Sequence, residues 1–257
     1  MILKGKVFIS TVSAHKSVEI RNIFEPLGAV VIDFPMTEIA GAELTPEIQD
    51  AINSLEKFHW IIFTSANGVK HFFQLVKNSG SFPSLPLTVK IAAVGIKTAS
   101  ELEKEGMKVH FTGSGNTAEE LANELIRTES LQNCNILLPL GNLAPDTLQN
   151  KLSGIAHVMR INVYNTMKAD AFVKEPVDRI INNLYDLVLF TSPSGVEYFI
   201  DQVHPENLRH TLRAASIGAV TTKAAERLGF PCLLTATRST YEGLADEIVN
   251  YYTLNKQ

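Results

Sequence analysis

The sequence predicts an α/β protein made of two similar halves, each a parallel sheet covered by helices on both faces. Three observations carry that prediction. First, one polar turn is written twice, FTSANGV at 63–69 and FTSPSGV at 190–196, with five of seven positions identical. The offset, 190 − 63 = 127, is about half of the 257-residue chain. Second, two further blocks recur in the same order. AAVGIKTASELEKEGMKV (92–109) returns as ASIGAVTTKAAERLGFPC (215–232), and NTAEELANELI (116–126) as STYEGLADEIV (239–249), with Thr98 on Thr221, Gly106 on Gly229 and Thr117 on Thr240, each at offset 123. Third, short apolar runs alternate with amphipathic stretches throughout, the rhythm of βα units.

Taken in order, the strands of the first half are KVFIS (6–10), AVVIDF (29–34), WIIFTS (60–65), VKIAAVG (89–95) and KVHFT (108–112), all β-branched, aromatic or apolar. SVEIRNIFEPLG (17–28) and TASELEKEGM (98–107) read as helices between them. The second half supplies strands NILLPL (135–140), HVMRINVY (157–164), LVLFTS (187–192), AASIG (214–218) and PCLLTA (231–236). Its helices are GVEYFIDQV (195–203), TTKAAERLG (221–229) and TYEGLADEIVNYY (240–252). Five βα units per half make two flavodoxin-like sheets. Gly28, Gly106 and Gly229 follow helices, where a left-handed residue ends the turn. SFPSLPL (81–87) is a loop. DFPMTEIAGAELTP (33–46) and RINVYNTMKADAF (160–172) break the rhythm at equivalent places and read as irregular crossings. These patterns leave open whether each half folds alone or the halves exchange segments.

Composition narrows the function. No run of 18 apolar residues is present, and MILKGKVFIS lacks the pattern of a cleaved leader, so a cytoplasmic protein without a membrane partner is expected. A formal net charge of −4 argues against nucleic acid as the main partner. Cys134 and Cys232 form no CxxC and are expected as buried thiols. None of the seven histidines is spaced from another as a helical metal pair, His204 and His210 being six apart, so no metal is expected. Neither GxGxxG nor GxxxxGK[ST] occurs, and no Ser-His-Asp, Cys-His or paired-carboxylate set emerges from spacing.

The doubled turn lies where parallel sheets bind ligands, beyond the carboxyl ends of strands. Thr64, Ser65 and Asn67, with Thr191, Ser192 and Ser194, fall on that edge. Two roles are open to them. They can cap the following helix by accepting its free N–H groups, or they can line an anion site that uses the helix start as its positive end. Gly68 and Gly195 would let a ligand approach the backbone. Thr98 and Thr221, after VG and IG, begin the next helices and face the same choice.

These motifs resemble those of uroporphyrinogen-III synthases. FTSANGV and FTSPSGV are similar to that family's fTSxxGV, AAVGIKTA and ASIGAVTT to its vGxxTa, VYNT (163–166) to its tyrosine-containing segment and TYEGLADEI to its C-terminal stretch. The resemblance implies two α/β domains joined by two extended linker strands. One domain would comprise 1–34 and 167–257, the other 38–161, with 35–37 and 162–166 as linkers. Cys134 and Cys232 would then lie in different domains, without a disulfide. It also implies closure of linear hydroxymethylbilane to uroporphyrinogen III, with inversion of the last ring and loss of water, without cofactor or metal; the sequence carries no sign of oligomerisation, so a monomer is expected. The octacarboxylate substrate would be held in the interdomain cleft by backbone amides, helix starts and the hydroxyls of Thr64, Ser65, Thr98, Thr191, Ser192, Ser194 and Thr221. Tyr164 matches the family's tyrosine, and a protonated phenol can donate to a departing hydroxyl.

The chain departs from the pattern at Val12, Leu140 and Ala144, where the family often has arginine; either Lys16, Lys70, Lys97 or Lys223 compensates, or binding is weaker or relies more on backbone amides. The rival expectation is a non-catalytic two-lobed small-molecule-binding or sensor protein.

Overall fold

A computed structural model of the chain describes residues 1–80, 88–115, 117–169, 173–204, 208 and 212–255. The loop expected at 81–87, residues 170–172 of the second crossing and His210 lie outside them. The chain divides into two compact units, Met1–Glu38 with Met167–Gln257, and Ile39–Thr166.

The first unit opens with β1 (Val7–Ser10), α1 (Ser17–Phe24) and β2 (Val30–Asp33). β3 (Thr37–Gly41) carries the chain into the second unit, which contains α2 (Pro46–Asn53), β4 (Trp60–Phe63), α3 (Ala66–Asn78), β5 (Lys90–Ala93), α4 (Ile96–Lys104), β6 (Phe111–Thr112), α5 (Ala118–Thr128), β7 (Asn135–Gly141) and α6 (Thr147–Leu152). β8 (His157–Lys168) leads back to the first unit and to α7 (Lys174–Ile181), β9 (Leu187–Phe190), α8 (Pro193–Val203), β10 (Ala214–Ser216), α9 (Ala219–Arg227), β11 (Leu234–Thr235) and α10 (Tyr241–Leu254).

Two expectations of irregular chain are corrected here. Within 33–46 the chain forms β3, and Thr45 then accepts a bond from Ile48 N–H (3.3 Å) to cap α2, whose first residue is Pro46. From 160 onward β8 simply continues to Lys168. Gly28, Gly106 and Gly229 do adopt the left-handed conformation, at φ 97°, 77° and 85°.

The first sheet has the order β11-β10-β9-β1-β2 and its pairs are parallel. The second has the order β3-β8-β7-β4-β5-β6. Reading β7, β8, β4, β5, β6 against β1, β2, β9, β10, β11 gives the same spatial order, so the second sheet is the first with its chain entry moved. The matched strands repeat along the chain accordingly, their starts being offset by 135 − 7 = 128, 157 − 30 = 127, 187 − 60 = 127, 214 − 90 = 124 and 234 − 111 = 123.

The central strands β4 (WIIF) and β9 (LVLF) are apolar at every position because both faces are covered. Along β4, Trp60 and Ile62 join one core layer with Leu121, Leu125 and Leu138, while Ile61 and Phe63 join the other with Phe72, Leu102 and Leu137. In the first unit, Phe8 and Leu189 pack beneath Phe24 and Leu244, and Ile9, Val188 and Phe190 beneath Phe199 and Ala225. Cys134 and Cys232 are partly buried rather than sealed, each packing against the margin of a core layer.

Candidate functional site

Each sheet has one place where neighbouring strands send their helices to opposite faces. It lies between β1 and β9 in the first unit and between β7 and β4 in the second. Such a switch point leaves a crevice at the carboxyl ends of the strands. The doubled turn follows β9 in one unit and β4 in the other.

In the second unit, Ser65 has an extended backbone and caps α3, its Oγ accepting from Gly68 N–H at 3.0 Å. That Oγ also lies 3.4 Å from the Tyr164 hydroxyl. Tyr164 arrives there by a change of register. β7 and β8 pair evenly from Asn135↔His157 to Leu140↔Asn162, and then Gly141 pairs with Tyr164. The phenol ring lies against Gly141, where a Cβ would overlap Cζ and sit 2.8 Å from the hydroxyl oxygen. On its other flank the ring meets His71 of α3, at 5.7 Å between centroids. Asn142 fastens the strand beyond it. Its Nδ2 donates to Thr166 O (3.3 Å) and its Oδ1 accepts from Thr166 N–H (2.8 Å). Arg160 of β8 donates to Gly141 O (3.0 Å), Ala144 O (3.1 Å) and Asp146 Oδ1 (2.6 Å), holding the turn after β7.

The first unit repeats the cap, with Ser192 Oγ accepting from Gly195 N–H (3.0 Å) and lying 3.3 Å from Ser194 Oγ. Its β1–β2 pairing runs evenly from Val7↔Val30 to Ser10↔Asp33. Thr11 follows β1 and turns its hydroxyl inward to Leu189 O (2.8 Å). Asp33, at the end of β2, is neutralised by Arg21 of α1.

Several sequence expectations change. Asn67 and Ser194 are not the caps; Ser65 and Ser192 are, because theirs is the residue with extended backbone just outside the helix. Gly68 and Gly195 are buried, and their missing Cβ admits protein rather than ligand. At Gly68 a Cβ would stand 3.1 Å from Pro139 O, and at Gly195 3.1 Å from Ser192 Oγ and 3.6 Å from Thr11 Oγ1. Thr98 and Thr221 do not cap either. Gly95 and Gly218 hold the cap positions without a side-chain bond, and the threonines sit three residues further on, each 3 % exposed.

The helix starts at α4 and α9 are therefore open. Gly95 O accepts from the N–H groups of Thr98 and Ala99, and Gly218 O from those of Thr221 and Thr222. The N–H groups of Ile96, Lys97, Ala219 and Val220 lie ahead of the helical ladder and make no bond among the described residues. A shallow cleft of ≈ 290 Å³ adjoins the α4 start, lined by Gly95–Thr98 and Gly113–Gly115. Ile96 and Val220 stand 80 % and 73 % exposed beside these amides. Thr64, Asn67 and Thr191 are half-buried on the same rims and make no side-chain bond among the described residues.

Val12 and Leu140 are core residues, and Ala144 packs on the core. Lys16, Lys70, Lys97 and Lys223 take part in no ion pair among the described residues, so their charges are not neutralised by protein. Sequence reasoning missed Arg160, His71 and Asn142, whose roles depend on contacts far along the chain. Elsewhere, burial pushes the Cys232 thiol up despite bonds to Ser216 and Thr222. Burial raises Tyr241 to about 12, with Glu19 adding to it. Burial and the nearby Lys108 and Lys90 lower His110. Among the described residues no His, Cys, Asp or Glu cluster could hold a metal, and no helix is long and apolar enough to cross a membrane.

Comparison with known proteins places this geometry. The chain is 26% identical to the porphyrin biosynthesis protein HemD of Ruminiclostridium josui over 87% of its own length and 44% of that protein's, so it spans less than half of that relative. It is 25% identical to a uroporphyrinogen-III synthase of Chlorobaculum parvum, over 87% of this chain and 90% of the other. A crystal structure of uroporphyrinogen III synthase from Thermus thermophilus shares its fold, with TM-score 0.66 and 18% identity over 98% of this chain and all (100%) of that one. The family model for uroporphyrinogen-III synthase HemD matches residues 18–246, and the chain belongs to that family.

Proposed function

We propose that the chain closes linear hydroxymethylbilane to uroporphyrinogen III, inverting the terminal ring and releasing water, in tetrapyrrole synthesis. The reading rests on family membership and on one observation above all. A phenol with a hydroxyl neighbour, Tyr164 with Ser65 at 3.4 Å, stands at the switch point of the second sheet, on the rim that carries the open start of α4.

The chemistry asks little acid–base power of the protein. The lone pair of a pyrrole nitrogen expels the terminal hydroxyl, and Tyr164 donates the proton with which it leaves as water. The substituted carbon of the last ring then attacks the methylene carbon, and rearrangement gives the inverted ring. The proton lost as the pyrrole regains aromaticity restores the phenol. What the protein must supply is orientation, since an unguided chain closes at the nearer, unsubstituted carbon. In this reading the carboxylates of the substrate are taken by the N–H groups at the starts of α4 and α9 and by Thr64, Ser65, Asn67, Thr191, Ser192 and Ser194. Lys97 and Lys223 add charge. Gly68, Thr98 and Thr221 act from within, by shaping the helix starts. Exposed Ile96 and Val220 offer apolar contact to pyrrole faces.

The test is to supply the purified protein with enzymatically generated hydroxymethylbilane, oxidise the product and separate the porphyrin isomers. Isomer III in excess is expected. The symmetric isomer I alone, formed at the uncatalysed rate, would overturn the proposal.

A further inference from the structure

We propose that the Gly141–Asn142 corner of the second unit is a positioning device that aims Tyr164, and that its two residues are as necessary to turnover as the phenol's neighbours. This rests on the reading of Tyr164 as the proton donor.

Four features of the corner support it. The register change falls between Leu140 and Gly141, so Tyr164 lands opposite a residue without a side chain. The ring occupies the space a Cβ would take, within 2.8 Å of the hydroxyl oxygen, so any larger residue must push the phenol away from Ser65. Beyond the ring, Asn142 N–H donates to Tyr164 O (3.1 Å), and the Asn142 amide bonds both the N–H and the O of Thr166. A side chain here continues the β ladder past the bulge, fixing the backbone on both sides of Tyr164. Arg160 completes the corner by tying Gly141 O and Ala144 O to β8. A strand tyrosine with only a packing role would not need its backbone clamped through a side-chain amide, nor an opposing position emptied for its ring.

A bulge re-aims a side chain at the cost of local pairing. Here the lost pairing is replaced by Asn142, and the gained direction carries the phenol across Gly141 to Ser65 at the end of β4. Past Ser10↔Asp33 the first unit also slips register, Met36 N–H donating to Thr11 O (3.3 Å), but it carries Pro35 and Val12 there, with neither a phenol nor a side-chain amide to clamp it.

The experiment combines kinetics with an independent view of the ring. Gly141→Ala, Asn142→Ala, Asn142→Asp and Tyr164→Phe are prepared singly, and Gly141→Ala and Asn142→Ala each also with Tyr164→Phe. The Tyr164 resonance is assigned in ¹³Cζ-tyrosine-labelled protein by its absence from Tyr164→Phe. We expect Gly141→Ala and Asn142→Ala each to lower kcat about tenfold or more with little change in KM, to shift the Tyr164 resonance, and to have almost no further effect when phenylalanine is already present. Asn142→Asp keeps the acceptor for Thr166 N–H and should recover part of the loss. Equal losses in the tyrosine and phenylalanine backgrounds, or an unmoved Tyr164 resonance in both folded variants, would overturn the proposal. Should Gly141→Ala fail to fold, the Asn142 variants decide alone. If the parent protein gives only the symmetric isomer, the proposed function falls while the resonance shift still decides whether the corner aims the ring.

Discussion

The two units are built on one plan and finished differently. Both end a buried strand in Phe-Thr-Ser, cap the next helix with that serine, and leave the following helix start to a glycine. At the neighbouring strand they diverge. In the first unit Thr11 turns its hydroxyl inward to Leu189 O, and the register slips as Met36 N–H donates to Thr11 O (3.3 Å) with no phenol at the step; in the second a bulge lets Tyr164 lie across Gly141. The difference teaches that the repeated parts are scaffold, while the corner that presents Tyr164 belongs to the second unit alone.

The strongest way to break that comparison is at the phenol. Tyr164→Phe should cut turnover about tenfold or more while leaving stability within about 1 kcal/mol, the scale of one hydrogen bond. Steady-state kinetics with a denaturation curve checks both, and unchanged turnover removes Tyr164 from the mechanism. Next come the twin glycines. Gly68→Ala pushes a methyl toward the backbone oxygen of Pro139 and should destabilise by about 1–3 kcal/mol. Gly195→Ala meets hydroxyl groups that can rotate, and should cost less. Equal losses in urea melts would contradict the different packing of the two turns.

The twin caps separate structure from function. Ser65→Ala and Ser192→Ala should each lose about 1 kcal/mol of stability, the usual worth of a cap. Only Ser65→Ala should also slow turnover, because Ser65 alone of the two touches Tyr164. Matching kinetic defects would mean the second rim is not special. Smaller still are the charges. Lys97→Ala and Lys223→Ala should raise KM about two- to threefold at low salt, and the effect should fade with added salt. A salt-independent change would speak against electrostatic binding.

The units also differ in how pH reaches them. In the first, burial raises the Tyr241 phenol to about 12, so its neutral form is favoured by folding. Stability from this group is complete below the ordinary value of 10.0 and is lost as pH rises toward about 12. In the second, burial lowers His110, whose Nδ1 accepts from Ile91 N–H at 3.1 Å. Its contribution is complete above the ordinary 6.5 and is lost as pH falls below it. Tyr241→Phe should flatten the alkaline limb of a melting profile and leave the acid limb alone; the opposite pattern would contradict this assignment.

Much of this was legible in the sequence because it is local. Apolar runs ending in Thr-Ser or Gly mark strand ends, and the amphipathic stretches behind them mark helices. The duplicated blocks announced two like sheets. Which rim residue caps stayed open because Ser65 and Asn67 are both competent acceptors two residues apart, and only the backbone decides which stands outside the helix. Thr98 and Thr221 looked like helix starts, yet the glycines before them take that place. The Gly141 corner was not legible, since it joins residues from two strands across a register change that no local pattern records. Arg160 was hidden for the same reason: its bonds reach back to 141, 144 and 146.

We propose that the open helix start of each unit takes tetrapyrrole carboxylates. Amide hydrogen exchange, with and without the octacarboxylate product uroporphyrinogen III, tests it most directly. Slower exchange is expected at Ile96 and Lys97 in one unit and at Ala219 and Val220 in the other. Unchanged exchange at either pair, with ligand bound, would contradict it.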